Sequence, residues 1–317
     1  MPRPSSAAQR PDLAVTAMVA RDSRAGFIGL EVMPLFKVDE SIGQYPVIPA
    51  DVMFALQETR RAPRGNYQRS DWTWDWDTYA CKENGFEEPV DDKEVKLYKR
   101  YFDAEKMSTR RAINVILRKQ EYRIASALFN ASNFTAHAIT NEWDDATNAV
   151  PKSDVDTGRA VIHGTIGMDP NTLIISYDAY LALGRSDEVI DRIKYTNPTV
   201  QRGNVAPALL AQYFEVEKVI VGDAMYNGAK KGQDASLTQM WNPEYAMLCV
   251  TDASENFETP SIGRTFLWVE DSPENVVVEA YRDDTVRADI IRVRHDTDEE
   301  FISTDCAYLF SNVKTIA

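Results

Sequence analysis

The stretch from Asp103 to Phe129 constrains the fold more than any other part of the chain, because it predicts one long α-helix. It lacks Pro and Gly and is rich in residues that favour helices. Its inward-facing residues recur at steps of three and four: Ile113, Ile116, Leu117, Gln120, Ile124, Ala127 and Leu128. The opposite side carries Arg111, Arg118, Lys119, Tyr122 and Ser126. At 1.5 Å per residue the helix would measure about 40 Å, so we predict a strut that packs on a sheet.

The segment before this helix is expected to form extended strands. Pro34, Pro46 and Pro49 argue against a helix within residues 27–49, while the β-branched and aromatic residues around them favour strands. Proline cannot donate to a sheet ladder, so these strands should lie at sheet edges or cross the molecule as extended chain. Residues 1–25 are polar and lean basic, which is typical of an extended arm.

Residues 50–90 predict a hairpin with a basic tip and an aromatic stem. Arginines surround a turn signal formed by Pro63, Gly65 and Asn66. Trp72, Trp74 and Trp76 then alternate with acidic or polar residues, which indicates a strand with one aromatic face. These tryptophans either cover the protein's own core or dock on another protein, since Trp, Tyr and Arg anchor interfaces. The acidic residues interleaved on the strand argue against a nucleic-acid interface.

The chain after the long helix falls into three parts. Residues 130–153 are polar and are expected to form a solvated loop. Residues 154–253 alternate helix and strand signals and predict a compact α/β unit. Residues 261–317 are rich in strand signals. We expect a loop between strands at the acidic cluster and a strand end at the histidine before it: Asp296, Asp298, Glu299 and Glu300, and His295.

Composition and motifs do not support catalysis or the binding of a cofactor or metal. The three histidines fit no metal-binding or protease pattern, and glycine motifs for phosphate binding are absent. The three cysteines are too few and too widely spaced for a zinc site or a disulfide framework, which favours a reducing cytosol. The net charge of −14 argues against general nucleic-acid binding, and no apolar run reaches the length of a membrane span. Abundant carboxylates still leave a hidden acid–base pair open.

Several segments, taken in order, resemble one protein family. They are EVMPLFKVDESIGQYPVIP, TRRAPRGNYQ, TRRAINVILRKQEYRIASALFN, NEWDD, LGRSDEVIDRIKYT, VEKVIVGDAMYN and the final AYLFSNV. Over residues 14–317 the chain resembles the tailed-bacteriophage or prophage major capsid proteins of the Hong Kong 97-type fold. These motifs are signatures of shape, so the resemblance depends on their order along the chain.

The resemblance implies an α+β fold divided into several parts. In chain order they are an N-terminal arm (1–45), an extended β-hairpin loop over a neighbouring subunit (46–90), a peripheral domain (91–153 and 254–317) with a spine helix (103–129), and an α/β axial domain inserted into it (154–253).

The resemblance also implies a function. The chain would assemble with itself into the pentamers and hexamers of an icosahedral phage head, enclosing double-stranded DNA without sequence-specific binding, and the procapsid would expand on maturation. Expected partners are a scaffolding protein, separate or cleaved off, a portal, and a cementing or decoration protein. The expected location is the virion, after assembly in the host bacterial cytoplasm. An encapsulin-like cellular shell, which shares the fold, and a soluble α/β enzyme stay open as alternatives.

Contacts between subunits are predicted on the hairpin and on the polar side of the spine helix. The candidate residues are Arg60, Arg61, Arg64, Tyr67, Arg69, Trp72, Trp74, Trp76, Arg111, Arg118 and Tyr122. No catalytic, cofactor-binding or metal-binding residue is predicted.

Overall fold

The computed structural model of the protein is built around one long helix and two β-sheets of six and five strands. The structure describes residues 8–9, 26–47, 49, 52, 54–69, 74–98, 103–196, 202–203 and 205–315. The helices are α1 (Gly29–Val32), α2 (Asp92–Tyr98), α3 (Ala104–Leu128), α4 (Pro151–Ile166), α5 (Tyr177–Leu183), α6 (Asp187–Thr196) and α7 (Pro207–Phe214). The mixture of helix and sheet confirms the predicted α+β class.

The strands are short except for two that pair with each other, β5 and β14. In chain order they are β1 (Ala8–Gln9), β2 (Leu35–Val38), β3 (Ile42–Val47), β4 (Asp75–Ala80), β5 (Lys82–Asp91), β6 (Ala136–Ala138), β7 (Thr172–Ser176), β8 (Lys218–Gly222), β9 (Met225–Asn227), β10 (Leu237–Gln239), β11 (Ala246–Cys249), β12 (Gly263–Trp268), β13 (Val277–Asp283), β14 (Ala288–Phe301) and β15 (Ala307–Ser311).

Helix α3 confirms the predicted strut. The Asp103 carboxylate caps its N-terminus by accepting a hydrogen bond from the Lys106 backbone N–H at 3.4 Å. The helix runs for 25 residues and ends before Phe129. Its buried residues are Thr109, Ala112, Ile113, Ile116, Leu117, Gln120, Glu121, Ile124, Ala125 and Leu128. The predicted inward stripe is therefore confirmed, except that Ala127 is only half-buried.

The first sheet has six strands and is built around β14. One edge of β14 pairs antiparallel with β5, and the other edge pairs with β13 and β12 in succession. β2 extends the sheet parallel to β12, and β1 pairs antiparallel with β13. The N-terminal half of α3 packs on this sheet through Ile113 and Leu117, which contact Ile291 and Val293 in one apolar cluster.

Strand β14 corrects two expectations from the sequence. The acidic cluster lies within this strand and not in a loop, and His295 lies in its middle and is fully buried. The alternation of a strand explains how the charges are accommodated. Glu299 faces α3, where the Arg123 guanidinium donates to its carboxylate at 2.7 and 2.8 Å, while Asp298 faces the opposite side and accepts from the Ala80 backbone N–H.

The second sheet has five strands in the order β6-β15-β11-β7-β8. Leu173 and Ile175 of β7 face helices α4 to α7, whereas Ile174 faces α1 and the C-terminal end of α3. Because both faces are covered, β7 reads as a continuous apolar run, as predicted. β6 and β15 belong to this sheet although they lie outside residues 154–253. The division into arm, loop, peripheral and axial domains stays a prediction.

Two further expectations were wrong. The polar connector is not wholly solvated, because Phe134, Ile139 and Trp143 are buried in the core and residues 136–138 form β6. Scattered apolar residues in a polar stretch carry no helical or strand period, so their burial depends on tertiary contacts. Residues 27–49 also contain a short helix, α1, which ends before Met33, the residue that precedes Pro34.

β3 and β4 pair antiparallel and form the stem of a projecting hairpin, with Tyr45 opposite Asp77 and Pro46 opposite Trp76. The described residues between the strands include 54–69, which contain no helix or strand. We call residues 54–69 the hairpin tip, and residues 42–45 with 78–81 the hairpin root. Trp76 lies in β4 and Trp74 directly before it, while Trp72 lies outside the described residues.

The burial of Trp143 makes a testable prediction. Its indole is fully buried and Nε1 donates to the Asp154 carboxylate at 3.0 Å. Trp143→Ala should therefore lower the free energy of unfolding by about 3–5 kcal/mol. Trp76→Ala, at a side chain that is 62% exposed, should change it by no more than about 0.5 kcal/mol. Urea unfolding of the unassembled subunit measures both, and equal losses would contradict the assignment of Trp143 to the core.

Candidate intersubunit surfaces

The hairpin tip is exposed along its whole described length. Gly65 closes a tight turn by donating its N–H to the Ala62 carbonyl at 2.9 Å, and Arg64 has a left-handed φ of 66°. The Arg61 guanidinium lies over the Tyr67 ring, 4.7 Å from its centroid. Such a contact at an exposed site contributes only about 0.5–1 kcal/mol. Apart from Phe54, whose ring packs against Gly167, the tip therefore receives little stabilisation from its own chain.

The tip is a positive surface on a negative protein. Its four arginines, Arg60, Arg61, Arg64 and Arg69, accompany a single carboxylate, Glu58. Within the part of the chain that the structure describes, none of these guanidinium groups forms an ion pair. The exposed aromatic residues continue along the hairpin, with Tyr67 72%, Trp74 45% and Trp76 62% exposed. The structure thus brings the predicted basic and aromatic residues together on one projection, apart from Trp72.

The hairpin root, in contrast, is well packed. The Tyr79 ring stacks on Phe266 of β12 with 4.5 Å between centroids, and the Tyr45 ring lies 5.1 Å from the same phenyl group. The Tyr45 hydroxyl donates to the Phe301 carbonyl at 3.0 Å, and the Ala80 N–H donates to the Asp298 carboxylate at 2.8 Å. An ordered root therefore holds an unsupported tip.

Carboxylates crowd around this root. Burial, followed by the charge of Asp298, a hydrogen bond to Asp298 and the charge of Asp77, raises the pKa of Glu300 to about 7. Burial, with the charge of Asp77, also raises the pKa of Tyr45. The positive charge of Lys82 acts on Glu300 in the opposite direction.

The outer side of α3 carries the remaining predicted contact residues. Arg111, Arg118 and Tyr122 lie on one stripe of the helix, because their spacings of seven and four residues return to the same side. The Arg111 and Arg118 side chains are exposed, and Arg111 binds Glu88 of its own chain at 2.8 Å. Tyr122 is half-buried, and its ring meets Tyr226 edge-on at 5.1 Å. Part of the Tyr122 side chain is thus covered by its own chain and is not available to a neighbouring subunit.

The buried carboxylate of Glu121 was not predicted from the sequence. Its Oε1 accepts from the Ile28 N–H at 3.1 Å and from Trp241 Nε1 at 2.7 Å, and its Oε2 accepts from the Gly29 N–H at 2.7 Å. Burial raises the pKa of Glu121, while the three hydrogen bonds oppose that rise. A signal was present in the sequence, because Glu121 lies four residues after Leu117, within the apolar stripe.

Other buried polar groups were also unforeseen. Arg264 of β12 is fully buried and donates through Nη2 to Asp252 at 3.1 Å. Burial lowers the pKa of His295 to about 4, so its imidazole is neutral at pH 7. Among the described residues, no set of His, Cys, Asp and Glu side chains is arranged to hold a metal ion, and no helix has the length and apolar character to cross a membrane.

The chain is similar in sequence to two phage proteins. It is 26% identical over 245 residues to the major capsid protein of Burkholderia phage BcepMu, covering 75% of this chain and 76% of the relative. It is 23% identical over 264 residues to the major capsid protein of Pseudomonas phage JBD67, covering 81% and 82%. A phage-related protein from Bordetella bronchiseptica RB50, solved by crystallography, superposes with a TM-score of 0.72 at 21% identity, covering 98% of this chain and 99% of the other. No family model matches the chain.

The fold is therefore that of the Hong Kong 97-type capsid proteins. The resemblance to the tailed-phage major capsid proteins is confirmed. Both sequence relatives are named major capsid protein, and the matches cover 76% and 82% of their lengths. Both relatives are named as capsid proteins and neither is named as an enzyme.

The Glu121 contacts make a second testable prediction. Glu121→Gln would leave one acceptor oxygen and bring an amide donor against backbone and indole donors. The resulting unpaired buried groups should lower the free energy of unfolding by about 2–4 kcal/mol. Glu217→Gln, at an exposed carboxylate, is the matched control and should have almost no effect. Chemical denaturation measures both, and a small loss for Glu121→Gln would contradict the role assigned to this carboxylate.

Proposed function

We propose that this chain is the major capsid protein of a tailed phage or prophage and assembles with itself into the pentamers and hexamers of an icosahedral head around double-stranded DNA. The observation that carries the proposal is the hairpin, whose packed root presents a tip with every described residue exposed. Ordering such a segment costs conformational entropy that its own contacts do not offset. A neighbouring copy of the chain would supply the missing contacts.

The comparisons and the charge support this proposal. Both sequence relatives are phage proteins named for the capsid shell. The net charge of −14 suits a wall that encloses DNA without binding it, because like charges repel at the surface. Positive charge is instead concentrated on the hairpin tip, where it is available for contacts between subunits.

The finer parts of the proposal follow the family resemblance. Residues 1–45 would act as an arm, 46–90 as a loop over the neighbouring subunit, and 154–253 as the domain that meets its copies at the five- and six-fold positions. The outer stripe of α3, with Arg111, Arg118 and Tyr122, would face a neighbour's loop. A scaffolding protein, a portal and a decoration protein would join the shell, and the procapsid would expand as DNA enters.

An encapsulin-like cellular compartment is the second candidate, because it shares the fold. It is the weaker candidate, since both relatives belong to phages. The two differ in content, and the content is measurable. Shells purified from cells should contain nuclease-protected DNA if the proposal is correct, whereas a packaged enzyme would favour the compartment.

Changing the charge of the tip tests the intersubunit contact. The triple variant Arg60→Glu, Arg61→Glu and Arg64→Glu should abolish shells in negative-stain microscopy. It should leave the unfolding midpoint of the subunit almost unchanged, because these side chains are exposed and form no ion pair with the described residues, and the Arg61–Tyr67 contact is weak. The matched control replaces the same residues with Lys, which keeps the positive charge, and should still assemble. Normal shell yield from the Glu variant would exclude the tip as a contact.

The arm provides a separate test. The described part of residues 1–25 is the two-residue strand β1, which pairs with Ala280 and Glu279 of β13. Deleting residues 1–25 should therefore reduce shell yield far more than it lowers the melting temperature of the unassembled subunit. If both fall together, the arm belongs to the subunit core and does not act as a clasp between copies.

A further inference from the structure

The hairpin root depends on a hydrogen bond to a carboxylate whose surroundings are strongly negative. The Ala80 N–H of β4 donates to the Asp298 carboxylate of β14 at 2.8 Å, which ties the hairpin to the first sheet. Asp298 and Glu300 are two residues apart on one strand, so their side chains project from the same face. Burial and the adjacent Asp298 raise the pKa of Glu300 to about 7, and the charge of Asp77 on β4 adds to the rise.

Two carboxyl groups on the same face of one strand repel each other least when one of them keeps its proton. When both ionise, their like charges repel, and the neighbouring carboxylate of Asp77 adds to the repulsion. The groups that face Glu300 come from each adjoining element: Tyr45 on β3, Asp77 on β4, Lys82 on β5, Arg264 on β12 and Asp298 on β14.

Arg264 provides an alternative partner for an ionised Glu300. The two residues are directly opposite in the β12–β14 ladder, so their side chains start on the same face about 5 Å apart. Arg264 is fully buried and donates only through Nη2, to Asp252 at 3.1 Å and to the Asn256 carbonyl at 3.3 Å. Its Nε and Nη1 have no partner among the described residues. A buried guanidinium with unused donors favours an incoming carboxylate.

We propose that the Asp298–Glu300 pair is a proton-operated latch for the hairpin. With one proton between the two carboxyl groups, the hairpin is seated on β14 through the Ala80–Asp298 hydrogen bond. With the proton lost, Glu300 adds a third negative charge beside Asp298 and Asp77, its side chain turns towards Arg264, and the root loosens. In a shell this would control the angle at which the tip meets a neighbouring copy, and that consequence alone depends on the proposed function.

The direction of the pH effect follows from the raised pKa of Glu300, which moves from an ordinary 4.5 to about 7. A raised pKa in the seated form means that this form binds the proton more tightly than the loosened form does. The stabilisation is therefore complete below about pH 4.5 and is lost as the pH rises through about 7.

Cys81 is a native reporter of this change. It lies in the hairpin root, is half-buried, and its thiol faces the Phe266 carbonyl at 3.8 Å, whereas Cys249 and Cys306 are buried. The rate of maleimide labelling at Cys81, located by peptide mass spectrometry, is measured for the unassembled subunit between pH 5 and pH 8. Dividing the wild-type rate by that of Glu300→Gln at each pH removes the intrinsic pH dependence of the thiol.

The rate ratio should be near one at pH 5 and rise several-fold by pH 8, because glutamine stays neutral and keeps the root seated. Burial, followed by the charges of Asp298 and Asp296, raises the pKa of the Cys81 thiol. Further negative charge nearby would slow the reaction of the thiol, so a rise in the rate ratio reports exposure and not charge. Glu270→Gln, at an exposed carboxylate on the loop after β12, is the control and should leave the wild-type rate unchanged at every pH.

A ratio that stays constant from pH 5 to pH 8 would overturn the latch, whether or not the protein forms shells. A second variant, Asp77→Asn, should reduce the rise by removing one of the repelling charges. If Asp77→Asn labels like the wild type while Glu300→Gln does not, the repulsion between β4 and β14 is excluded as the cause. Failure to form shells with a normal labelling profile would instead count against the proposed function alone.

Discussion

The hydrogen bonds to Glu121 join the parts of the structure that the rest depends on. One carboxylate of the long helix α3 receives the first backbone donors of α1 and the indole of Trp241, which is 120 residues away in the chain. The segment that forms α1, the long helix and the loop between β10 and β11 therefore meet at one buried group. Gly29 is required there, because a Cβ atom at this position would lie 2.7 Å from the Glu121 carboxylate. A substitution at either residue would therefore weaken the contact between α1, α3 and the segment that carries Trp241.

The hairpin differs from this buried junction, because its contacts with the rest of the chain are concentrated at its root. Its root is held by aromatic stacking on Phe266 and by hydrogen bonds to β14, while its tip makes few contacts of its own. The root is well packed, whereas the basic tip has few contacts within its own chain. The free energy of the subunit is therefore lowered when another molecule covers the tip. This contrast links the physical description of the subunit to the proposed assembly, since an obligate self-assembling protein leaves part of its stabilisation to its neighbours.

Strand β14 shows how a single chain can place strong charges on both sides of a sheet. Glu299 faces the helix and is bound by Arg123, so its charge is compensated. Asp298 and Glu300 face the hairpin, where burial and the incompletely compensated charge of Asp298 raise the pKa of Glu300. The same acidic run therefore has a structural role on one face and a pH-sensitive environment on the other. The difference comes from the neighbouring elements, since the residue types are alike.

Much of the architecture follows from the sequence by itself. The spacing of apolar residues predicts α3, the continuous apolar run predicts β7, and the arginines around the turn signal predict a basic tip, because these features depend on local geometry and propensity. Only the tertiary structure decides that Glu121 and Arg264 are buried, that Trp143 is in the core, and that the acidic run is a strand. Those outcomes depend on contacts with residues far away in the chain. The local spacing of apolar residues does not determine which distant residues make these contacts. The position of Glu121 in the apolar stripe is a signal for the burial of its carboxylate. Its three hydrogen-bond donors can be identified only from the tertiary structure, because they come from distant segments of the chain.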